Sequence, residues 1–516
     1  MLRSLVKLPG SAGATRLREF VQSGVPNGGL VVIANREPYS HERTPDGSVV
    51  VQRPASGLVS AIEPMLRACG GTWIAHANGS ADRACADRHG RLAVPPEGPE
   101  YTLRRVWIEE DQYEHYYSGF ANEGLWPLCH MAHTQPVFHV ADWRAYQAVN
   151  ERFADAAIAE TPDEGLLLIQ DYHFAMVPHF VRAKAPGIVT SLFWHIPWPH
   201  PEVVATCPWK EVLLEGMTGA DVVGFHTQQY CLNFLEAAQR YLECRVDFEA
   251  MSVTRAGRLT HVRPYPISVV WPYPAASRAE GEELRRSLGI PADVHVSVGV
   301  DRADYTKGIV ERMAAIEFLL DENPSLIGKY VLVQLTCPTR MRIPAYQQIA
   351  RRITEMAEHV NERFGNASWK PIVLEMRAFT PGEVRKHYAM ADSLLVTPLH
   401  DGMNLVAKEY VAACQDGDGV LVLSVFAGAS KELDRALLVN PYDTGEVAQA
   451  ILRASRMPAA ERRARMQAMR DRIASNTIYD WSEHLLRDMC DIQRQRANFW
   501  PQRSDAAAAV AQEVAG

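Results

Sequence analysis

Residues 294–312 read VHVSVGVDRADYTKGIVER. Seven mostly apolar residues of alternating β-branched character end in Asp301-Arg302. A short polar connection then runs through Lys307-Gly308 into a helical pattern. An apolar run of that length, closed by a turn and followed by a helix, is the start of a βαβ unit in a parallel sheet. The same reading extends outward in both directions. KYVLVQLT (329–336), PIVLEM (371–376), SLLVTP (393–398) and GVLVLSVF (419–426) continue the series. An earlier series comprises GLVVIA (29–34), LLLIQ (166–170), VTSLF (189–193) and DVVGF (221–225). Segments with helical patterning separate them, so both series predict parallel sheets covered on two faces. Between them, 262–280 is rich in turn formers and predicts a hinge. The expected architecture is α/β, with two doubly wound domains and a cleft between.

In open α/β sheets, ligands bind beyond the carboxyl ends of the strands. Six strands here deliver polar groups at that point. GLVVIA leads into Asn35-Arg36, LLLIQ into Asp171-Tyr172-His173 and VTSLF into Trp194-His195. The second series delivers Asp301-Arg302 with Lys307, then Pro338-Thr339-Arg340, then His400-Asp401-Gly402. Arg302 and Lys307, five residues apart, suit one diphosphate: a forked guanidinium and a compact ammonium. A helix-entry ion pair with Asp301 or Asp304 is the alternative reading of the same residues.

The stretch His400-Asp-Gly-Met-Asn-Leu-Val-Ala-Lys-Glu-Tyr410 turns helical after Gly402. Free amides at that helix N-terminus favour a phosphate. Asp401 and Glu409 would lie about 12 Å apart along the helix, at about 1.5 Å per residue. That separation suits an extended nucleotide sugar; an N-capping Asp with an exposed Glu is the plainer alternative.

Composition narrows the class. The chain has 516 residues, 47% hydrophobic and 22% charged, with a net charge of −8. The charge argues against general binding to nucleic acid or anionic membranes. Nine cysteines without a CxxC pair read as reduced thiols of a cytoplasmic protein. No segment has the apolar length of a signal peptide or membrane span. GxGxxG, GxxxxGK[ST] and GxSxG elements are missing, and no His/Cys/Asp spacing marks a metal site.

Together these residues resemble the trehalose-6-phosphate synthase family, retaining glycosyltransferases of the GT-B fold, over about residues 30–495. The resemblance is carried by VDRADYTKGIVER (300–312), TPLHDGMNLVAKEYVAA (397–413) and LLEGMTGADVVGFHT (213–227). YYSGFANEGLWPL (116–128), QDYHFAMVP (170–178) and VFAGASKEL (425–433) also carry it. It implies transfer of glucose from UDP-glucose to glucose 6-phosphate, giving trehalose 6-phosphate. Arg302 and Lys307 would hold the donor diphosphate and, with His195 and Asp401, carry the catalysis. Gly57, Phe379, Gly402, Met403, Asn404, Leu405, Val406 and Glu409 complete the donor set. Arg36, Tyr117, Trp126, Asp171 and Arg340 would hold the acceptor. No cofactor or metal is implied, magnesium is not required to explain the site, and a homo-oligomer, dimer or tetramer, is expected.

The expected division is a tail over 1–27, an acceptor domain over 28–265 and a donor domain over 266–480. A helix over 481–503 is expected to cross back to the first domain, and 504–516 to form a second tail. The chain departs from the family pattern mainly in its first half. ANREPYS puts Glu37 beside Arg36, Ser56-Gly57 replaces a double glycine, and FWHIPWP and LIQDYHF carry substitutions. The same donor chemistry on another phosphorylated acceptor, in a glucosylglycerol-phosphate synthase or a cyclitol-phosphate coupling enzyme, stays open at this level. So does a non-catalytic sugar-phosphate sensor, and the nucleobase is not fixed by side chains.

Overall fold

The computed structural model describes residues 12–25, 29–53 and 57–499. Its second sheet has six strands, in the order Ile372–Met376, Tyr330–Cys337, His295–Arg302, Ser393–Val396, Val420–Ser424 and Leu437–Val439. All are parallel. The chain winds outward from His295–Arg302 in one direction, then returns to start Ser393–Val396 on its other side. That reversal is a topological switch point, where a crevice opens at the strand ends. Arg302 ends one of the two central strands, and the 397–404 loop follows the other.

The first sheet repeats the arrangement. Seven parallel strands run Arg258–Pro264, Val222–Phe225, Val189–Phe193, Leu166–Gln170, Leu30–Arg36, Thr72–His76 and Tyr101–Val106. Antiparallel strands extend both edges, Arg91–Val94 on one side, Ser252–Arg255 and Arg245–Asp247 on the other. The switch lies between Leu30–Arg36 and Leu166–Gln170, and sends out Arg36 and Asp171. Core strands such as Leu166–Gln170 and Val189–Phe193 are buried at every position, as two helical layers require.

All nine strands expected from the sequence are present. Thr72–His76, Tyr101–Val106, Arg258–Pro264, Leu437–Val439 and the antiparallel additions were not expected, nor was the exposed hairpin Ser40–Arg43/Val49–Gln52. The expected tail over 1–27 needs correction where it is described. Ala12–Gly24 is a helix burying Leu17 and Val21 against the helices Gly57–Cys69 and Ile478–Phe499. Arg16 pairs with Glu483 at 2.8 Å and with Asp480. Small residues hid its periodicity. Residues 1–11 and 500–516, including the expected second tail, lie outside the described residues.

The helix Ile478–Phe499 also packs against Val189–Phe193 of the first sheet. The connection near 265–277 is irregular and tied on both sides. Lys408 Nζ donates to the Ile267 carbonyl at 2.7 Å, and Trp481 Nε1 to the Tyr265 carbonyl at 3.2 Å. Among the described residues, no helix is long and apolar enough to cross a membrane.

Candidate active site

At the mouth of the second sheet, the strand His295–Arg302 passes through one turn, Tyr305–Lys307, into the helix Ile309–Glu322. Gly308 caps that helix at φ +62°, and a Cβ there would overlap the Thr397 carbonyl. Beneath the turn Arg312, fully buried, donates to Asp301 at 2.6 Å, Gln334 at 2.8 Å and Thr397 Oγ1 at 2.9 Å. Asp301 is thereby engaged, and neither Arg302 nor Lys307 pairs with it. Lys307 Nζ instead lies 2.5 Å from Asp401 Oδ2.

Asp401 also accepts from Asn404 Nδ2 at 3.0 Å. Burial alone would raise its pKa, but Lys307 and Asn404 outweigh burial and hold it at about 2. Asn404 adopts φ +71° and caps the helix Leu405–Ala413, accepting from the Ala407 amide. The helix therefore begins two residues later than the sequence suggested, leaving the Leu405 and Val406 amides in its first turn. Met403 is buried beneath the loop. Gly402 abuts the His195 carbonyl so closely that a Cβ would overlap it.

Farther along, Glu409 accepts from Tyr388 OH at 3.0 Å. Burial raises its pKa to about 7, against the opposing effects of Tyr388 and Arg385. Phe379 follows the strand Ile372–Met376, with the Arg377 guanidinium 4.1 Å above its ring. Gly57 begins the helix Gly57–Cys69 and faces Leu405 across the cleft.

The first sheet contributes the opposite wall. The His195 ring sits 2.8 Å from Gln170 Oε1, and its amide donates to Asp171 Oδ1 at 3.1 Å. Burial, reinforced by His226 and His173, holds the imidazole pKa well below its ordinary value, so the ring is neutral near pH 7. Asp171 adopts φ +77°, and burial raises its pKa to about 7. Arg36 is exposed at its strand end. Glu37, adjacent in sequence, turns away from it. Its carboxyl group meets the fully buried Arg105 at 2.9 Å and the Asn78 amide at 3.0 Å. The departure at Glu37 thus leaves Arg36 free of its neighbour's charge.

Tyr117 lies in a π-helical stretch, Glu114–Leu125, a distortion frequent at functional sites. Its ring stacks between Tyr113 at 5.0 Å and His173 at 5.6 Å. Burial would raise its pKa, yet Arg340, Arg36 and Arg302 overcome that and lower it. Arg340 reaches across the cleft from the second domain. Its Nη2 donates to Tyr172 OH at 3.1 Å, and its Nη1 to Tyr346 OH. Trp126 lies beneath it, 4.1 Å from the guanidinium carbon, with Arg302 at 5.2 Å.

The structure therefore gathers Arg36, Tyr117, Trp126, Asp171 and Arg340 at one end of the cleft. Lys307, Asp401, Asn404 and the first turn of Leu405–Ala413 stand near the other, with Arg302 between. Sequence reasoning missed Arg312, Tyr172 and Tyr346, which orient these groups. Tyr172 was visible within QDYH, but nothing in the sequence joined it to Arg340. Among the described residues, no three His, Cys, Asp or Glu side chains gather as metal ligands.

Two facing Rossmann-like domains with this cleft have known counterparts. The model of glycosyltransferase family 20 matches residues 28–491. The chain belongs to glycosyltransferase family 20. This family-20 chain is 36% identical over 477 residues to the trehalose-6-phosphate synthase of Mycolicibacterium paratuberculosis, covering 90% of this chain and 96% of that one. An E. coli structure bound with UDP-2-fluoro glucose superposes with a TM-score of 0.79 at 33% identity, over 89% of this chain and 98% of that one. An α,α-trehalose-phosphate synthase (UDP-forming) from Burkholderia xenovorans, in complex with glucose-6-phosphate, gives 0.77 at 30%, over 89% and 99%. The fold of the family-20 chain is GT-B, and its activity is that of a UDP-forming glycosyltransferase.

Proposed function

We propose that this enzyme transfers glucose from UDP-glucose to glucose 6-phosphate, releasing UDP and forming α,α-trehalose 6-phosphate with retention of configuration. The observation that carries the reading is that Arg302 and Arg340, both at strand exits of the second sheet, meet over Trp126 of the first domain, with Arg36 exposed at the first sheet's switch point. Arg302 and Lys307 bind the diphosphate and stabilise the charge that grows on it as the glycosidic bond breaks. The first-turn amides at Leu405 and Val406 add fixed dipoles. Asp401, ionised and held by Lys307, grips hydroxyls of the donor glucose, with Gly402, Met403 and Asn404 shaping the pocket. Glu409 takes the ribose hydroxyls, and the backbone at Phe379 the base.

Arg36, Arg340 and Tyr117 hold the acceptor phosphate, while Asp171 and Trp126 bound its sugar. The acceptor hydroxyl approaches from the face the diphosphate leaves, and a leaving phosphate oxygen takes its proton. No side chain forms a covalent bond to the sugar. The protein's contribution is placement and charge stabilisation in a cleft closed to water. Nine free thiols support a reducing cytoplasm, and the family resemblance supports a homo-oligomer.

Glycerol phosphate or a cyclitol phosphate as acceptor is the second reading, raised by the departure at Glu37. Glu37 pairs with Arg105 and not Arg36, so that departure leaves phosphate binding intact, and the similarity to trehalose-6-phosphate synthases, one of them in complex with glucose-6-phosphate, favours glucose 6-phosphate. Nucleoside diphosphate release from purified enzyme, with UDP-, GDP- or ADP-glucose as donor, decides the matter. Release that requires UDP-glucose and glucose 6-phosphate together is expected. Release only with glycerol 3-phosphate would move the acceptor, and silence across all pairs in folded protein would favour a sensor.

A further inference from the structure

Asp304 stands between the two substrate sites without a place in either. Its side chain is fully buried. Oδ1 is fixed from below, accepting from the Thr306 amide and hydroxyl, both at 3.0 Å. Oδ2 has no hydrogen bond among the described residues. It lies 3.7 Å from Arg302 Nη2 and 3.6 Å from Arg340 Nη1. Those two guanidinium groups share the Trp126 ring at 5.2 and 4.1 Å. One belongs to the donor diphosphate subsite and the other to the acceptor phosphate subsite. Two like charges so close repel, and a buried anion between them offsets the repulsion at a defined spacing.

We propose that Asp304 is a positioning residue for the transfer step. Its carboxylate, anchored by Thr306, sets the spacing of Arg302 and Arg340 over Trp126, so that donor diphosphate and acceptor phosphate are held at one separation. The carboxylate touches neither substrate and acts through the two arginines. Its pairing distances, longer than hydrogen bonds, leave the guanidinium donors available to phosphate oxygens. Burial opposes its ionisation, and Arg302, Arg340 and Lys307 more than compensate, keeping it charged. The inference rests on the assignment of the two phosphate subsites made above.

Asp304→Asn is isosteric and keeps the bond from the Thr306 amide, but presents an amide toward two cations. Spacing is lost while one negative charge leaves a cationic cluster. The expected result is a kcat lowered about 100-fold, the scale of a misplaced charge-stabilising donor. The dissociation constants of UDP and inorganic phosphate should be unchanged or tighter. Thr306→Val, which removes only the hydroxyl anchor, should show the same split with a smaller fall in kcat. An unchanged kcat overturns the proposal. So does a fall in kcat matched by equal losses of UDP and phosphate affinity, because Asp304 would then only maintain local folding. Crystals of both proteins soaked with UDP and inorganic phosphate give a readout independent of acceptor identity. The distance between the UDP β-phosphorus and the bound phosphate should lengthen in Asp304→Asn, and an unaltered distance overturns the proposal. Wild-type protein inactive with glucose 6-phosphate would instead count against the assigned reaction, leaving the phosphorus separation to judge Asp304.

Discussion

Gly402 meets the carbonyl oxygen of His195 across the cleft with no room for a Cβ. The His195 carbonyl cannot swing aside, because it accepts from His226 Nε2 at 3.0 Å. At Gly402 the loop bearing Asp401 touches the first domain through bare backbone, beside the Tyr230 hydroxyl on the Asp401 carbonyl, and the closeness of the two walls there depends on a missing side chain. Gly402→Ala should force the loop or the domain apart and lower kcat/KM by on the order of 100-fold, given how steeply transfer depends on placement. Steady-state kinetics beside a thermal melt check this; near-wild-type kinetics would contradict it.

The Lys307–Asp401 pair gives a second test. Lys307→Ala removes a cation from the leaving group and strands a buried carboxylate. Turnover should fall about 100-fold or more, whereas UDP affinity should fall less. Asp401 is held at about 2 by Lys307 and Asn404 against burial. A depressed carboxylate pKa contributes stability above its unfolded value that is lost as pH falls toward 2. Removing Lys307 raises that pKa, so the variant should be less stable near pH 7 and should lose less stability from this group than wild type as pH falls from about 3.8 to 2. Acid unfolding followed by circular dichroism reports it.

Burial raises two carboxylates toward neutrality, and the proposed function gives them to different substrates. Glu409 and Asp171 are each raised by burial to about 7. Each offers two acceptor oxygens, charge-assisted, only when ionised; protonation converts one of them to a donor and weakens the grip on substrate hydroxyls. As pH falls below about 7, the KM for donor should rise through Glu409 and that for acceptor through Asp171. Glu409→Gln should raise and flatten the donor profile while leaving the acceptor profile sloped. KM values measured from pH 5.5 to 8.5 separate the two.

Glu37 predicts a stability effect without a catalytic one. Its pKa is raised to about 8, first by burial and then by Asp82, with Arg105 opposing. The folded state therefore holds a proton that the unfolded chain releases near 4.5. Stability from this group is complete below that value and is lost as pH rises through about 8. Glu37→Gln should lose less melting temperature than wild type between pH 6 and 9. Its acceptor KM should stay within about threefold, since Arg36 has no bond to Glu37.

How much of this was legible in the sequence followed from where apolar runs were continuous. Strands such as Val189–Phe193 are apolar or small throughout, and their polar exits marked both switch points. Tyr101–Val106 escaped notice because YTLRRV carries Arg105, a fully buried cation whose partners Glu37 and Asp82 come from distant segments. Arg258–Pro264, paired on both sides, was hidden by its mixture of exposed, intermediate and buried positions. In the site, single residues at strand ends could be picked out one by one. The Arg302–Asp304–Arg340 bridge could not, because Arg340 follows a different strand from Arg302 and Asp304, and only the pairing of those strands brings the three together.

The most direct test of the central claim is proton NMR of the product formed from UDP-glucose and glucose 6-phosphate. The account predicts a phosphorylated, non-reducing disaccharide whose two anomeric couplings are both α, appearing in step with UDP. A β-configured linkage at the transferred glucose, or UDP release with free glucose as the sole sugar product, would contradict it.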